Sequence, residues 1–518
     1  MQKIGNKIML SIKKIIISII LLTLICQPVL AGEAVGFNKE AFIASAGVKK
    51  ALQIGMVDCV AMALKNNSEI QVRRIEPLKA GDDVLVQKAA FDPELSFNYS
   101  MENDVEQSAA GLIAKNPSKD RTNVFNFGYD EKFVTGTQVG LDFYNTRASS
   151  NSPIQNINPA FDSELGITIT QPLMKGAGII VNKAFFLIAQ NNQLKSVQDF
   201  TYEVINILTE VKKNYYEFQY TQEQYRVART SLERVQNLHY INKEKYAKGL
   251  ASNVDLLQSE SEVARMEQAT YAAERVMKAS EDRLKYITNL VNDPDLWNAD
   301  ITLLDKVGYE KKEVDLKTSV ITAFEHRPDY EAAKIDLKSK DISIVYYKNA
   351  LLPQVDLIGS YSLNGLDKNY GKDLRHLGSG KYQDWLIGVN VSMPIFFDKE
   401  RGEYDKSKLE KNQALIKFKR LEQQIILAVR DAVRDIDLRY KSVEASTVSK
   451  NAEEENYTAQ ESRFKAGLVS TLDMLIYQER LARAQVDYIK TIIDYNVSLI
   501  ELARVQGMTL INDNIAIE

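Results

Sequence analysis

Residue types that usually carry chemistry are sparse in this chain. Its three histidines, His239, His326 and His376, lie far apart, and none stands at metal-ligand spacing from a cysteine or another histidine. No nucleophile elbow or phosphate-cradling glycine loop occurs. The sequence therefore predicts no enzyme, no bound metal and no cofactor. What does recur is a pairing of Gly-Leu with Ser-x-x-Asp. Gly249-Leu250 precedes Ser252 and Asp255, and about 218 residues later Gly467-Leu468 precedes Ser470 and Asp473. The chemistry on offer is backbone capping. Glycine supplies the left-handed residue that ends one helix, the serine hydroxyl takes an orphan N–H of the next, and aspartate at N3 faces the positive end of its dipole.

Two helical hairpins must position these breaks, because the chain is duplicated. The stretch from Met62 to Ser100 is similar to that from Thr322 to Ser360, setting Pro93 against Pro353. Leu165–Leu173 is similar to Ile387–Ile395, setting Pro172 against Pro394. Each copy runs helix, Pro, strands, Pro, long helix, Gly-Leu break, long helix. The expected organisation is a leader at 1–31, an N-terminal extension at 32–54 and repeat 1 at 55–293, with strands at about 94–172 and a helical hairpin at about 179–293. A linker at 294–313 follows, then repeat 2 at 314–507 and a tail at 508–518. The strands of repeat 2 are expected at about 354–395 and its hairpin at about 403–506.

The leader rests on Lys3, Lys7, Lys13 and Lys14 ahead of an apolar run from Ile15 to Cys26, with Val29-Leu30-Ala31 before an expected cut. Cys26 follows Thr23-Leu24-Ile25 rather than a small residue, so lipidation is not expected. Cleavage would leave Cys59 alone, excluding an intramolecular disulfide. Beyond Ala31 no apolar run approaches the roughly 18 residues of a membrane helix. Net charge is −4 over 518 residues, which leaves no basic footprint for nucleic acid.

In the strand regions Leu165, Ile167 and Ile169 alternate with Gly166, Thr168 and Thr170. Trp385, Ile387, Val389 and Val391 alternate with polar or small residues in the same way. The pattern fits a half-buried sheet in a soluble domain, and it also fits a transmembrane barrel with an apolar outside and a polar lumen. Between Pro93 and Pro172 lie two surplus runs, from Val124 and from Thr137, joined at Thr135-Gly136. They are either an external elaboration or an extension of barrel strands. The helical runs are long: Ile179 to Lys248 contains no Gly or Pro and would reach on the order of 100 Å. Rods of that length must lie along one another as a coiled-coil-like layer. Pro77 and Gly81 interrupt the first helix of repeat 1, where a kink or a restart is expected.

This plan resembles the TolC-type outer-membrane efflux proteins from about Gly55 to Gly507. It is carried by Arg327-Pro328-Asp329 opening a helix that runs to Leu351-Leu352-Pro353, by Thr170-Gln171-Pro172-Leu173 leaving the strands, and by the paired Gly-Leu-x-Ser breaks. The resemblance implies a mainly α fold with a membrane β part. It implies a homotrimer sharing one barrel of about 12 strands in outer-membrane lipid, continued by a long α-helical periplasmic tunnel. It implies an outer-membrane location, and a passive exit duct for an efflux pump or a type I secretion system. The breaks would lie at the tunnel tip, where Gly249, Leu250, Ser252, Gly467, Leu468 and Ser470 would meet a periplasmic adaptor and, through it, an inner-membrane transporter. Asp255 and Asp473 either form carboxylate rings at the aperture or only cap their helices. Leu250 and Leu468 either contact a partner or close a Schellman cap. Where some members fasten the tip with a tyrosine and an arginine, this chain has Phe464 and Val469, which predicts a looser gate or one fastened differently. A poreless exported tether and a periplasmic adaptor are the rival readings.

Overall fold

Absence of helix breakers sets the longest elements. The computed structural model describes residues 51–107, 117–293 and 296–516; the expected leader with Cys26, and most of the N-terminal extension, lie outside the described residues. In chain order the elements are β1 (Ala51–Ile54), α1 (Met56–Asn66), α2 (Ser68–Lys88), β2 (Glu94–Glu106), β3 (Ser118–Lys132), β4 (Gln138–Ser150) and β5 (Ala160–Pro172). There follow α3 (Ala184–Ala247), α4 (Asn253–Ile287), β6 (Asp300–Leu303), α5 (Leu316–His326), α6 (Pro328–Ala350), β7 (Gln354–Asp367), α7 (Tyr370–Gly378), β8 (Gln383–Ser392), α8 (Asp398–Lys465), α9 (Thr471–Val505) and α10 (Thr509–Asn512). The 64 residues of α3 and 68 of α8 give rods of about 96 and 102 Å. Helix α8 starts ahead of residue 403 and carries Gly402 inside it. The helix α2 runs unbroken through Pro77 and Gly81, so no restart occurs. Gly81 has a packing reason instead: a Cβ there would meet Gln193 Nε2 on α3 at 3.1 Å.

Each long rod is flanked by two shorter helices set end to end. Against α3, α4 covers the break-side half, where Thr221 Oγ1 and Ser280 Oγ lie 2.6 Å apart, and α2 covers the other half. Against α8, α9 covers the break-side half through Arg439–Asp494 (3.1 Å), and α6 covers the rest through Lys340–Glu410 (3.2 Å). Helix ends that abut in this way carry orphan backbone groups, and polar side chains satisfy them. In repeat 1, Asn67 caps α2 by accepting from Glu69 and Ile70 N–H, and its amide donates to the Ile287 carbonyl of α4 at 2.8 Å; Asn289 donates back to the Asn66 carbonyl at 2.7 Å. In repeat 2, Arg327 clamps Asp329 and donates to the Val505 carbonyl of α9 at 3.1 Å.

Segments expected as an extension, a linker and a tail also pack here. Strands β1 and β6 form a two-stranded parallel sheet, and Asp305 just after β6 accepts from Tyr215 Oη (2.6 Å) and Met56 N–H (2.8 Å). Tyr495 Oη donates to the Glu310 carbonyl and accepts from Lys312 N–H, strapping the linker to α9. Lys212 pairs with Asp513 beyond α10.

The other six strands form one antiparallel sheet in the order β2-β3-β4-β5-β7-β8. The surplus hairpin, β3 and β4, is neither an elaboration outside the sheet nor a lengthening of its neighbours. It fills the second and third places, because its residues alternate in step with theirs. The described residues thus supply six strands to this sheet, where a 12-strand trimer takes four. One cross-strand row reads Leu95, Tyr129, Leu141, Ile167, Tyr361, Trp385, so a single apolar face runs across all six. The opposite face carries Ser96, Gly128, Asp142, Gly166, Ser362 and Asp384 in one row, with further carboxylates at Glu102, Asp130 and Glu164.

Gly507, after α9, sits at φ +73°, and a Cβ there would meet the His326 carbonyl oxygen at 2.5 Å. Gly507→Ala is expected to destabilise by roughly 1–3 kcal/mol through backbone strain and that clash. Gly402→Ala, in a helix interior with open space around it, is expected to stabilise by about 0.5–1 kcal/mol. Thermal unfolding of the two variants in detergent checks the opposite signs.

Candidate functional site at the hairpin tips

Both breaks close with the same backbone geometry. Gly249 (φ +69°) donates to the Tyr246 carbonyl at 2.9 Å and Leu250 N–H to the Lys245 carbonyl at 2.8 Å. Gly467 (φ +79°) donates to Phe464 at 3.0 Å, and Leu468 to Arg463 at 2.9 Å. These are the paired bonds of a Schellman motif, which needs the left-handed residue that glycine adopts without strain. The apolar contact that often accompanies the motif does not cover either leucine: Leu250 is 76 % exposed and Leu468 70 %.

The helices that follow are capped unequally. Ser252 Oγ accepts from Asp255 N–H at 3.1 Å, and the Asp255 carboxylate accepts from both Ser252 N–H (3.1 Å) and Ser252 Oγ (2.6 Å), completing a capping box. Ser470 Oγ accepts from Asp473 N–H at 3.1 Å and donates to the carboxylate at 2.7 Å, but the reciprocal backbone bond is not made and the box is half closed. The Ser252 hydroxyl, helped by the Ser252 N–H, Thr471 and Lys245, holds the Asp255 carboxyl below its ordinary range against partial desolvation.

The two tips touch. Phe464 is buried with Leu238 and Met474, and half-buried Val469 joins them. Lys245 Nζ lies 4.2 Å from the centroid of the Phe464 ring and donates to the Phe464 carbonyl at 3.4 Å. Buried Asn242 donates to the Asp255 carbonyl at 3.5 Å and accepts from Thr471 Oγ1 at 3.4 Å. The eight residues singled out at the breaks therefore fall into two adjacent turns. The seam between them uses Asn242, Lys245 and Thr471, which sequence reading missed; Lys245 and Phe464 lie 219 positions apart with no shared motif. Phe464 fastens the two hairpins of one chain to each other through its ring face, a contact unlike a polar latch.

Other candidate chemistry is spread out. His239 Nδ1 lies 3.0 Å from Ser259 Oγ, and His376 Nδ1 lies 3.2 Å from the Leu366 carbonyl oxygen. Among the described residues, no three His, Cys, Asp or Glu converge in a way that could hold a metal ion. Burial, reinforced by Asp58 and Asp305, pushes the Cys59 thiol up to about 12, so it stays a neutral, unreactive core residue at neutral pH.

Long paired rods, a sheet with an apolar band across one face of all six strands, and twin tips with bare leucines define a helical duct protein with a membrane β part. A family model described as outer membrane efflux protein matches residues 138–290 and 321–508, and the chain belongs to that family. The antibiotic efflux pump outer membrane protein ArpC of Pseudomonas putida is 23 % identical over 284 residues, and the toluene efflux pump outer membrane protein TtgC of the same species is 22 % identical over the same length. These matches cover 54 % of this chain and 56 % of each relative, so the chain spans about half the length of the curated relatives it matches. Among solved structures, the Campylobacter jejuni CmeC outer membrane channel superposes with a TM-score of 0.64 at 17 % identity, covering 88 % of this chain and 86 % of that one. VceC from Vibrio cholerae gives 0.63 at 14 % identity, covering 87 % and 96 %. The family is one of passive outer-membrane conduits, so the chain belongs in the outer membrane, with its helical half on the periplasmic side, and is no enzyme.

Two expectations follow for the caps. Ser252→Ala and Ser470→Ala each remove two hydroxyl bonds and should each cost about 1 kcal/mol, and Ser470→Ala should loosen its turn more, because the Ser252 N–H still donates to Asp255 whereas no such backbone bond backs up Ser470; amide exchange near Asp255 and Asp473 measures this. The folded Asp255 carboxyl is depressed, so its cap is fully present above the ordinary value of ~3.9 and is lost as pH falls through the lower folded value. Protection near Asp255, taken relative to the intrinsic exchange rate at each pH, should fall in that acid window, and Ser252→Ala should weaken the pH dependence.

Proposed function

We propose that the chain is the outer-membrane exit duct of a tripartite efflux or type I secretion system, assembled as a homotrimer. Its twin tips dock a periplasmic adaptor and, through that, an inner-membrane transporter. The observation that carries this is the pair of leucines, Leu250 and Leu468, at the ends of two touching turns whose backbone bonds are already satisfied. Two bare apolar side chains on adjoining turns serve no internal packing, and they suit a partner that covers them. The apolar face shared by six strands supports insertion in lipid and speaks against a water-soluble tether. Asp255 is bonded within its capping box and Asp473 to the Ser470 hydroxyl, which supports a capping role for both carboxylates.

Cysteines at Leu250 and Leu468 should capture the adaptor in cells, with buried Cys59 silent. Ready labelling of both sites by a small thiol reagent without any adaptor adduct would overturn docking. Leu250→Asp with Leu468→Asp should abolish efflux-dependent tolerance while leaving the protein in the outer membrane at normal level.

The electrostatics of the sheet add a second expectation. Its polar face, the lumen in this reading, bears many carboxylates and, among the described strand residues, a single lysine, Lys132. The isolated channel in planar bilayers should favour cations at low salt, as shown by its reversal potential. With Phe464 and Val469 unable to form a polar latch, its conductance should also be measurable at rest; a very low conductance strongly blocked by divalent cations would indicate a tight gate.

A further inference from the structure

Resting on the homotrimer proposed above, we infer that the membrane barrel closes with 18 strands, β8 of one copy pairing with β2 of the next. Four observations converge on this. First, all six strands lie in one continuous sheet, and three times six is 18. Second, each strand is long enough to cross a bilayer: the shortest, β8, has 10 residues and the longest, β3, has 15, where a tilted spanning strand needs about 9–11. Third, the hairpin β3–β4 shares the apolar face of its neighbours. Tyr129 and Leu141 stand in one row with Leu95, Ile167, Tyr361 and Trp385, so a barrel that excluded the hairpin would leave its greasy side in water. Fourth, five successive antiparallel pairings leave β8 running opposite to β2. Copies set head to tail therefore meet edge to edge in antiparallel register, and a strand left over in either direction would break that.

The edges themselves demand a partner. Strand β2 is exposed along its whole length, β8 is exposed at all but one position, and both present apolar side chains at alternate residues. In hydrocarbon no water can satisfy an open edge, so only closure does. A second copy of this chain offers the complementary edge in the matching direction. One chain alone is too narrow, since the smallest bacterial barrels have about 8 strands. Barrel diameter grows roughly in proportion to strand number. Strands ~4.8 Å apart and tilted about 40° then give a wall about 36 Å across for 18 strands, against about 24 Å for 12. The exit is about 1.5 times as wide as a 12-strand barrel allows.

The test uses the full-length protein purified in detergent. Its native mass gives the number of chains, and electron cryomicroscopy of the same sample counts the strands. Three chains and 18 strands are expected. Three chains with 12 strands, and β3–β4 lying off the wall, would overturn the strand count while leaving the trimer intact. A two-chain mass would overturn the trimer, and the count with it. Tyr99→Cys on β2 combined in turn with Trp385→Cys, Ile387→Cys and Val389→Cys on β8 gives a second readout. At least one pair should yield chains linked into covalent trimers, and Phe143→Cys on β4 with Ile387→Cys should yield none. Linkage of β4 to β8 between copies would overturn the proposed edge.

Discussion

An unpaired backbone N–H or C=O is tolerated only where water can reach it, and the two halves of this protein answer that constraint in different ways. In the sheet the outermost strands, β2 and β8, have one free edge each among the described residues, and a hydrocarbon environment would require a partner for it. In the rods each helix end leaves four orphan groups, and where two ends abut a polar side chain reaches across the joint. Asn67 caps α2 with its oxygen and reaches the last carbonyl of α4 with its nitrogen, and Arg327 does equivalent work at α9 while holding Asp329. These joints let a 35-residue return helix and a shorter outer helix imitate one rod the length of α3 or α8.

Capping chemistry is local, which is why the tips are legible in the sequence alone. Gly249, Ser252 and Asp255, like Gly467, Ser470 and Asp473, fulfil their roles within six or so residues, and the spacing alone states the geometry. The duplication is legible for the same reason: α1 and α2 fall 260 positions before α5 and α6, element for element. What escapes is set by contacts distant in sequence. Strands β1 and β6 are four residues each and pair across more than 240 positions, so neither carries a periodic signal of its own. The seam between Lys245 and Phe464 is of this kind too. Strand membership is half legible. Phe125, Phe127 and Tyr129 alternate as cleanly as Leu165, Ile167 and Ile169, but the expectation of equal repeats treats them as surplus.

The repeats also differ at their tips. Repeat 1 carries the complete capping box, the buried Asn242 and the lysine of the seam; repeat 2 supplies the aromatic ring and a looser serine cap. A duplicated unit in one chain gives a ring assembly two kinds of tip in alternation, so one copy's stiff turn always stands beside its own softer one. The softer turn is the one whose helix cap can be given up at lower cost, because fewer bonds hold it. That turn is Ser470–Asp473, and the contact of Lys245 with Phe464 ties it to the stiffer one.

Width then decides where flow is controlled. A trimer would present twelve rod positions, and at about 10 Å between neighbours these close into a ring roughly 38 Å across, close to the wall an 18-strand barrel makes. A duct of near-constant width offers no constriction along its length, and selection by size must fall to the end where the rods are free to converge. That end is formed by the two Gly-Leu turns. In the proposed assembly the residues that expose the leucines are thus also the ones whose spacing would set the aperture, and docking at Leu250 and Leu468 would act directly on the contact between the two turns.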